Sequence, residues 1–226
     1  MERTLLTPTT YETEKRFDDG STLRSRYAVS PLSLFIKRTF DLVAAVTGVI
    51  LMSPLFIYIS VSLRRHEKGA PVIFNQKRVG RAGKEFTLYK FRTMTVDAEA
   101  DGEARLCAEN DSRITDFGRF LRSHHLDELP QLWNVLRGDM SFVGYRPERK
   151  VFVDRIIEAG GDYAQLFKTR PGLFSYATLY NGYTDTMEKM LRRLHMDLAY
   201  LRSRTIFTDI KVIALTGWSI ISGKKF

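Results

Sequence analysis

The sequence has almost no cysteine: Cys107 is the only one among 226 residues. No disulfide can therefore form within the chain, which suits a reducing compartment, and we interpret Cys107 as a small buried apolar residue. The sequence also lacks a helix-turn-helix pattern, a zinc module and the aromatic strands of RNA-binding domains. We therefore expect the net charge of +9 to attract an anionic membrane surface or phosphorylated substrates. We expect no nucleic-acid partner.

The start of the chain lacks the marks of a signal peptide. Residues 1–30 mix charged residues with Thr and Ser, without an apolar run or a small-residue cleavage site. We interpret residues 1–33 as an N-terminal extension. The rest of the chain has no low-complexity region, and 44% of all residues are hydrophobic. A single domain with a sizeable core is therefore expected.

One long run lacks charge altogether. Leu42 to Leu63 contains 22 uncharged residues, which as a helix would be about 33 Å long and could span a membrane. Ser53 and Pro54 lie in its middle, where proline should bend the helix. Basic residues flank both ends, whereas a spanning helix usually concentrates them on one side; they are Lys37, Arg38, Arg64 and Arg65. The residues leave two alternatives open: a kinked spanning helix, or a helix that enters one leaflet and returns.

A β-hairpin is expected after this run. Residues 71–76 and 85–94 have strand composition, and residues 80–83 form a glycine-rich turn between them. Alternation along the second strand places Lys90 and Arg92 on one face. The acidic, alanine-rich stretch from Glu99 to Glu109 predicts a solvated helix.

Three arginines precede a pair of carboxylates. Phe117, Phe120 and Leu121 form an apolar stripe, which leaves arginines on the other faces to meet anions; these are Arg113, Arg119 and Arg122. Two histidines, His124 and His125, follow. No further ligands occur near them at metal-binding spacing, so we interpret both as structural or peripheral.

The carboxylate pair, Asp127 and Glu128, opens the most informative stretch. Apolar residues at helical spacing follow it, namely Leu129, Leu132, Trp133 and Leu136, and Pro130 suits a first helical turn. The pair should thus lie at a helix N-terminus, where the macrodipole favours ionised carboxylates and free N–H groups attract phosphate. Gly138 should end this helix. Arg146 precedes Pro147 and should project from an extended loop. The residues alone also fit an ordinary helix cap.

The last third of the chain reads as mainly helical. Residues 148–166 predict an amphipathic helix broken at Gly160 and Gly161, and a second helix is expected from Met187. The stretch from Ile206 to Ile221 is apolar and contains Trp218. It suits either a helix in the membrane interface or a buried C-terminal helix.

The chain resembles the monotopic phosphoglycosyltransferases, a family of bacterial sugar transferases, in their small single-domain form. The resemblance covers about residues 34–226 and rests mainly on residues 126–147, where Asp-Glu, Leu-Pro-Gln-Leu, Asn-Val-Leu, Gly-Asp-Met-Ser, Val-Gly and Arg-Pro occur in order. It implies a mostly helical α+β fold: a re-entrant membrane helix-break-helix at residues 34–66, a short β-hairpin, and interfacial amphipathic helices around a compact catalytic domain at residues 67–226. The resemblance is compatible with a homodimer.

The resemblance also implies an activity. Such enzymes transfer a sugar-1-phosphate from a nucleoside diphosphate sugar, here expected to be a UDP-sugar, to polyprenyl phosphate on the cytoplasmic face of the bacterial inner membrane. Asp127 would be the nucleophile that forms a covalent phosphosugar, and Glu128 a ligand or local base, with Mg²⁺ held between the two carboxylates and the diphosphate. The substrate-binding candidates are Arg78, Lys90, Arg92, Arg113, Arg119, Arg122 and Arg146, and the structural candidates are Asp41, Ser53, Pro54 and Pro147.

The sequence departs from the family pattern at two places. Tyr145 stands where relatives carry proline, and residues 174–178 differ from the usual Thr-Gly and later glutamine. These departures leave the sugar unassigned. Three alternatives stay open: a phosphohydrolase with the same site, a non-catalytic membrane scaffold of this fold, and a polybasic lipid-binding module.

Overall fold

A computed structural model describes residues 30–66, 69–99, 102–108, 111–181 and 184–222. The predicted N-terminal extension lies outside these ranges except for its last four residues. The first helix, α1, spans Pro31–His66 and contains 36 residues. Among the described residues it is the one helix that is long and apolar enough to cross a membrane.

Both halves of α1 contact the globular part of the chain. Ala45, in the first half, packs in a cluster with Leu88 and Val135. Ile59, in the second half, packs in a cluster with Phe91. Between these contacts, residues 49–54 are exposed on every side of the helix. The middle of α1 therefore protrudes from the domain while its two ends lie against it.

Pro54 lies inside α1 without interrupting it. Ser53 Oγ donates to Ile50 O over 2.8 Å, three residues back in the same turn. A Ser hydroxyl bonded to the backbone and a proline in succession favour bending of a helix. The re-entrant arrangement expected at this point stays a prediction.

The predicted hairpin is confirmed. Strand β1 (Ile73–Val79) pairs antiparallel with β2 (Glu85–Phe91). The connection is a short 3₁₀ turn, Arg81–Gly83, in which Ala82 has a positive φ of 58°. A second sheet consists of β3 (Ser141–Val143) and β4 (Gly172–Phe174), which pair in parallel.

The remaining described elements are mostly helical, so the predicted α+β class with a helical majority is confirmed. They are α2 (Asp116–Ser123), α3 (Gln131–Arg137), α4 (Lys150–Glu158), α5 (Tyr176–Asn181), α6 (Met187–Ser203) and α7 (Ile206–Ser222). The break after α4 is confirmed, since Gly160 has a φ of 84° and a 3₁₀ turn, Tyr163–Lys168, follows. Gly138 ends α3 with a φ of 87°, as predicted.

The helix predicted from Glu99 to Glu109 is wrong for the described part of that stretch. Residues 102–108 form no helix. Leu106 packs against the largest core cluster, and its carbonyl accepts from Arg113. These tertiary contacts outweigh the helix propensity of the alanine-rich composition.

The C-terminal helix α7 has two different faces. Val212 is buried in a cluster with Val143 and Tyr200, next to the second sheet. On the other side Phe207 is 83% exposed, and Ile210 and Trp218 are exposed as well. The structure therefore combines features of both alternatives, since one face is buried and the other presents aromatic and aliphatic side chains outward.

Candidate active site

The two carboxylates lie in a 3₁₀ turn of their own. This turn, Leu126–Glu128, follows His125, which has a left-handed backbone with a φ of 54°. Helix α3 begins only at Gln131, so the prediction that the pair lies at this helix's N-terminus is wrong by one turn. Pro130 occupies the capping position, where its missing N–H costs nothing. Asp127 and Glu128 are only 5% and 8% exposed.

The partners of the two carboxylates differ. Lys90 Nζ lies 2.8 Å from Glu128 Oε1 but 3.7 Å from Asp127 Oδ2. Arg146 Nη2 donates to the same Glu128 oxygen over 3.2 Å. Among the described residues, Asp127 accepts no hydrogen bond through its side chain. Two cations therefore hold Glu128, whereas the lone pairs of the Asp127 carboxylate accept no hydrogen bond among the described residues.

Electrostatics keep Glu128 ionised. Burial alone would raise the pKa of this carboxyl, but the charges of Lys90 and Arg146 outweigh burial and hold its pKa well below the usual range. The same attraction raises the pKa of Arg146. The turn and the two cations therefore form a charged unit that persists at neutral pH.

A second buried ion group lies behind the first. Arg78 Nη1 lies 2.9 Å from Glu148 Oε2, and Arg193 pairs with the other oxygen of the same carboxylate. Burial would raise the pKa of Glu148, but these arginines lower it. The structure thus places Arg78 against Glu148 and not against the carboxylate pair. Sequence reasoning missed Glu148 and Arg193, which lie 45 residues apart in the chain.

The loop that carries Arg146 is fixed by a buried carboxylate from α6. Asp197 Oδ2 accepts from Arg146 N over 3.4 Å, and its Oδ1 accepts from Ser175 Oγ over 2.9 Å. Burial raises the pKa of Asp197 to about 7. Ser175 belongs to the segment that departs from the family pattern.

A narrow cleft lies beside the carboxylate turn. Its walls come from β1, β2, α3 and the loop after β3, and include Arg78, Lys90, Gln131, Arg146 and Pro147. The carbonyl of Pro147 accepts from Arg78 over 3.2 Å. Gly172 also lines the cleft, and no side chain fits at this position because a Cβ would lie 2.0 Å from Gly144 N. Three predicted cations, Arg78, Lys90 and Arg146, therefore meet at one cleft.

Other predicted substrate-binding residues have partners elsewhere. Arg92 Nε donates to Pro71 O over 2.9 Å, and its guanidinium lies over the Phe74 ring. Arg119 is exposed on α2. The structure shows no contact of either side chain with the carboxylate pair among the described residues.

Two further arginines hold the segment that precedes α2. Arg113 pairs with Asp111 at 2.6 Å. Arg122 Nη1 donates to Cys107 Sγ over 2.9 Å, and its Nε donates to Thr93. Cys107 is half-buried, so its interpretation as a buried apolar residue is wrong. The structure uses Arg113 and Arg122 to anchor a loop, and any role in substrate binding stays a prediction.

The remaining candidates lie away from the cleft. Asp41 in α1 is buried, and its Oδ1 accepts from Phe142 N over 3.0 Å, which ties the helix to β3. His124 Nδ1 lies 2.9 Å from Phe120 O, and the two rings pack together. The described residues contain no cluster of three or more His, Cys, Asp or Glu side chains.

Comparison with known proteins matches this arrangement to one family. The family model for bacterial sugar transferases matches residues 32–223. The chain belongs to this family. It is 40% identical over 187 residues to a UDP-glucose:undecaprenyl-phosphate glucose-1-phosphate transferase of Klebsiella pneumoniae, across 82% of this chain and 40% of that protein.

The relatives of this sugar transferase family member do not all carry the same sugar in their names. A UDP-N-acetylgalactosamine-undecaprenyl-phosphate N-acetylgalactosaminephosphotransferase of Aeromonas hydrophila is 36% identical, across 86% of this chain and 45% of that protein. A glucose-1-phosphate transferase of Caulobacter vibrioides is 36% identical, across 82% of this chain and 70% of that protein. The chain spans less than half the length of most of these curated relatives. The predicted family is confirmed.

Proposed function

We propose that this chain transfers a sugar-1-phosphate from a UDP-sugar to polyprenyl phosphate. The observation that carries the proposal is the asymmetry of the carboxylate pair. Lys90 and Arg146 hold Glu128, whereas the Asp127 side chain accepts no hydrogen bond among the described residues. Asp127 Oδ2 lies 3.7 Å from Lys90 Nζ, and Lys90 lines the cationic cleft. A buried carboxylate that accepts no hydrogen bond and lies next to fixed positive charge suits nucleophilic attack on phosphorus. The names of the relatives support the substrate class.

The proposed reaction has two balanced steps. The Asp127 carboxylate attacks the β-phosphorus of the UDP-sugar, and the bond to the bridging oxygen breaks, so UMP leaves with that electron pair. A phosphate oxygen of polyprenyl phosphate then attacks the phosphosugar on Asp127. This second step frees the carboxylate and gives polyprenyl-diphosphate-sugar. Lys90 and Arg146 lower the energy of the charge that develops on the phosphoryl oxygens.

We also propose Mg²⁺ as the cofactor. Mg²⁺ prefers one or two carboxylates together with substrate phosphates and water, so two neighbouring carboxylates are a sufficient protein donor set. Asp127 fits this role better than Glu128, since Lys90 and Arg146 both contact Glu128 Oε1. When bound, the ion would neutralise phosphate charge and orient the diphosphate.

We further propose that α1 enters one leaflet and returns. Lys37, before the apolar run, pairs with Asp209 of α7 at 2.6 Å, while Leu63, at its end, is buried with Leu121. Both ends therefore contact one globular domain, which would require both to lie on the same side of a membrane. The exposed face of α7 with Phe207 and Trp218 suits the adjoining interface. These features support a domain on one side of a membrane, and the resemblance to the family leads us to propose the inner membrane and its cytoplasmic face.

The activity can be tested directly in detergent with Mg²⁺, polyprenyl phosphate and radiolabelled UDP-sugars. Wild type should give lipid-linked product and UMP, and Asp127→Asn should lose both because the amide cannot act as a nucleophile. Asp116→Asn, an exposed aspartate on α2, is the matched control and should retain activity. UMP release that does not require polyprenyl phosphate for turnover would indicate a hydrolase. Equal product from Asp127→Asn would refute the mechanism.

The topology needs its own experiment. In a Cys107→Ser background, Leu34→Cys and Arg65→Cys place single thiols at the two ends of α1. A membrane-impermeant maleimide added outside inverted vesicles should label both. Labelling of the two positions from opposite sides would show a spanning helix.

A further inference from the structure

Gln131 is a buried polar residue that the proposed mechanism does not yet use. It is the first residue of α3 and is 3% exposed. Its side chain lines the cleft together with Lys90 and Arg146. Among the described residues, its amide has no hydrogen-bond partner within the protein. Its amide atoms are not buried out of reach of solvent, so they are accessible from the cleft and available to a ligand.

A second amide on the same helix shows what a structural role looks like. Asn134 is fully buried, and its Oδ1 accepts from Tyr89 N over 3.1 Å. Its Nδ2 donates to Thr87 O over 2.7 Å and to Asp139 Oδ2 over 3.3 Å. Asn134 thereby ties α3 to β2 with its hydrogen-bonding groups engaged. Gln131, one turn earlier, contributes nothing comparable to the fold.

The surroundings of Gln131 define the kind of partner it meets. The charged side chains that line the cleft with it are Arg78, Lys90 and Arg146, and all are hydrogen-bond donors. A group enclosed by donors must be rich in acceptors, and a phosphate fits this requirement better than a sugar hydroxyl, which needs an acceptor for its own proton. The amide adds a donor without adding charge.

We infer that Gln131 Nε2 donates a hydrogen bond to a phosphoryl oxygen of the donor diphosphate in the cleft. Gln131 is then a substrate-binding residue, placed one helical turn after the carboxylate pair by the start of α3. This inference rests on the proposed function, because it needs a diphosphate substrate in this cleft.

Two substitutions separate this role from packing. Gln131→Met keeps the length of the side chain and removes the donor, so kcat/KM for the UDP-sugar should fall about 10- to 100-fold, the usual effect of losing a hydrogen bond to a charged group. Gln131→Glu keeps the shape but brings negative charge to the phosphate, so the loss should be larger. The thermal unfolding midpoint in detergent should not fall in Gln131→Met, because the amide makes no bond within the fold.

Inhibition by UDP identifies the group that is bound. UDP carries the diphosphate without a sugar, so its inhibition constant should weaken in Gln131→Met by about the same factor as binding of the sugar donor. An unchanged UDP constant with weakened sugar-donor binding would overturn the inference in favour of a sugar contact. Gln165→Met, the same change in the 3₁₀ turn Tyr163–Lys168, is the control and should act as wild type.

The outcomes also separate this inference from the proposed function. An active wild type with an equally active Gln131→Met variant would overturn the role of Gln131 alone. A wild type that forms no lipid-linked product from any donor would overturn both.

Discussion

Arg146 Nη2 contacts Glu128 Oε1 at 3.2 Å and so joins the loop after β3 to the turn that carries both carboxylates. Lys90 reaches the same oxygen from β2. The neighbouring Asp127 lies farther from Lys90, at 3.7 Å. Adjacent acids in different environments commonly have different chemical roles. Here Glu128 holds the two cations in place, and Asp127 is left available to attack phosphorus.

Lys90→Met tests this division of roles. Removing Lys90 leaves Arg146 as the one cation that contacts Glu128 among the described residues, and burial should then raise the pKa of that carboxyl. The lowered pKa of Glu128 keeps it ionised in wild type down to acidic pH. If catalysis needs the ionised form, the acidic limb of kcat/KM against pH should move upward by about 1 to 3 units. Lys77→Met, an exposed change on β1, should leave the profile unchanged. An unshifted limb in Lys90→Met would contradict the assignment.

Glu148→Gln should destabilise the protein. The substitution leaves Arg78 and Arg193 buried without the carboxylate that both contact. Breaking a buried ion group in this way typically costs about 3 to 5 kcal/mol. Denaturant unfolding in detergent measures the loss, and Glu158→Gln at the exposed end of α4 provides the comparison. Equal free energies of unfolding for the two variants would show that the Glu148 group does not stabilise the fold.

Local signals in the sequence were sufficient to predict the hairpin and to identify the carboxylate pair as the centre of the site. The turn at residues 80–83 separates two strand-like runs, and the structure pairs Phe74 with Lys90 across them. This register brings Lys90 to Glu128. Gly138 ends its helix as predicted. A glycine readily adopts the left-handed conformation that ends helices, and its φ here is 87°.

The rest of the site depends on contacts between distant segments. Nothing local in the sequence indicates that Arg193 on α6 meets Glu148 or that Asp197 holds the backbone of Arg146. Arg113 shows the opposite case, in which a local contact was overlooked. Its partner Asp111 lies two residues away, but the expectation of an anion-binding surface took precedence over this local pair.

Tyr145→Phe tests whether the departure from the family pattern affects function. Tyr145 is 2% exposed and packs edge-on against Tyr163. Its hydroxyl has no hydrogen-bond partner among the described residues, and burial raises its pKa so that it stays protonated. Removing an unpaired buried hydroxyl should leave stability unchanged or raise it by about 1 kcal/mol. Transfer activity should stay at the wild-type level, and a large loss would instead assign the hydroxyl to the substrate.

Asp197→Asn should change how stability depends on pH. Burial raises the pKa of Asp197 to about 7 in the folded protein, whereas an unfolded aspartate has a pKa of about 3.9. Between these values the folded state binds more protons than the unfolded state. The free energy of unfolding should therefore fall as pH rises through this window, by at most about 1.4 kcal/mol per pH unit from this group. Above pH 7 the carboxyl is ionised in both states and adds no further slope.

The asparagine variant cannot titrate at this position, so the difference between its free energy of unfolding and that of wild type should grow in favour of the variant from about pH 4 to pH 7. Chemical unfolding at several pH values measures this difference. The free energy of unfolding of the control Asp116→Asn, whose side chain is exposed, should depend on pH in the same way as that of wild type. Parallel curves for Asp197→Asn would mean that the carboxyl is already ionised at acidic pH. In that case its bonds to Arg146 N and Ser175 Oγ would be those of a charged acceptor throughout, and the loop carrying Arg146 would be held equally firmly across the whole range.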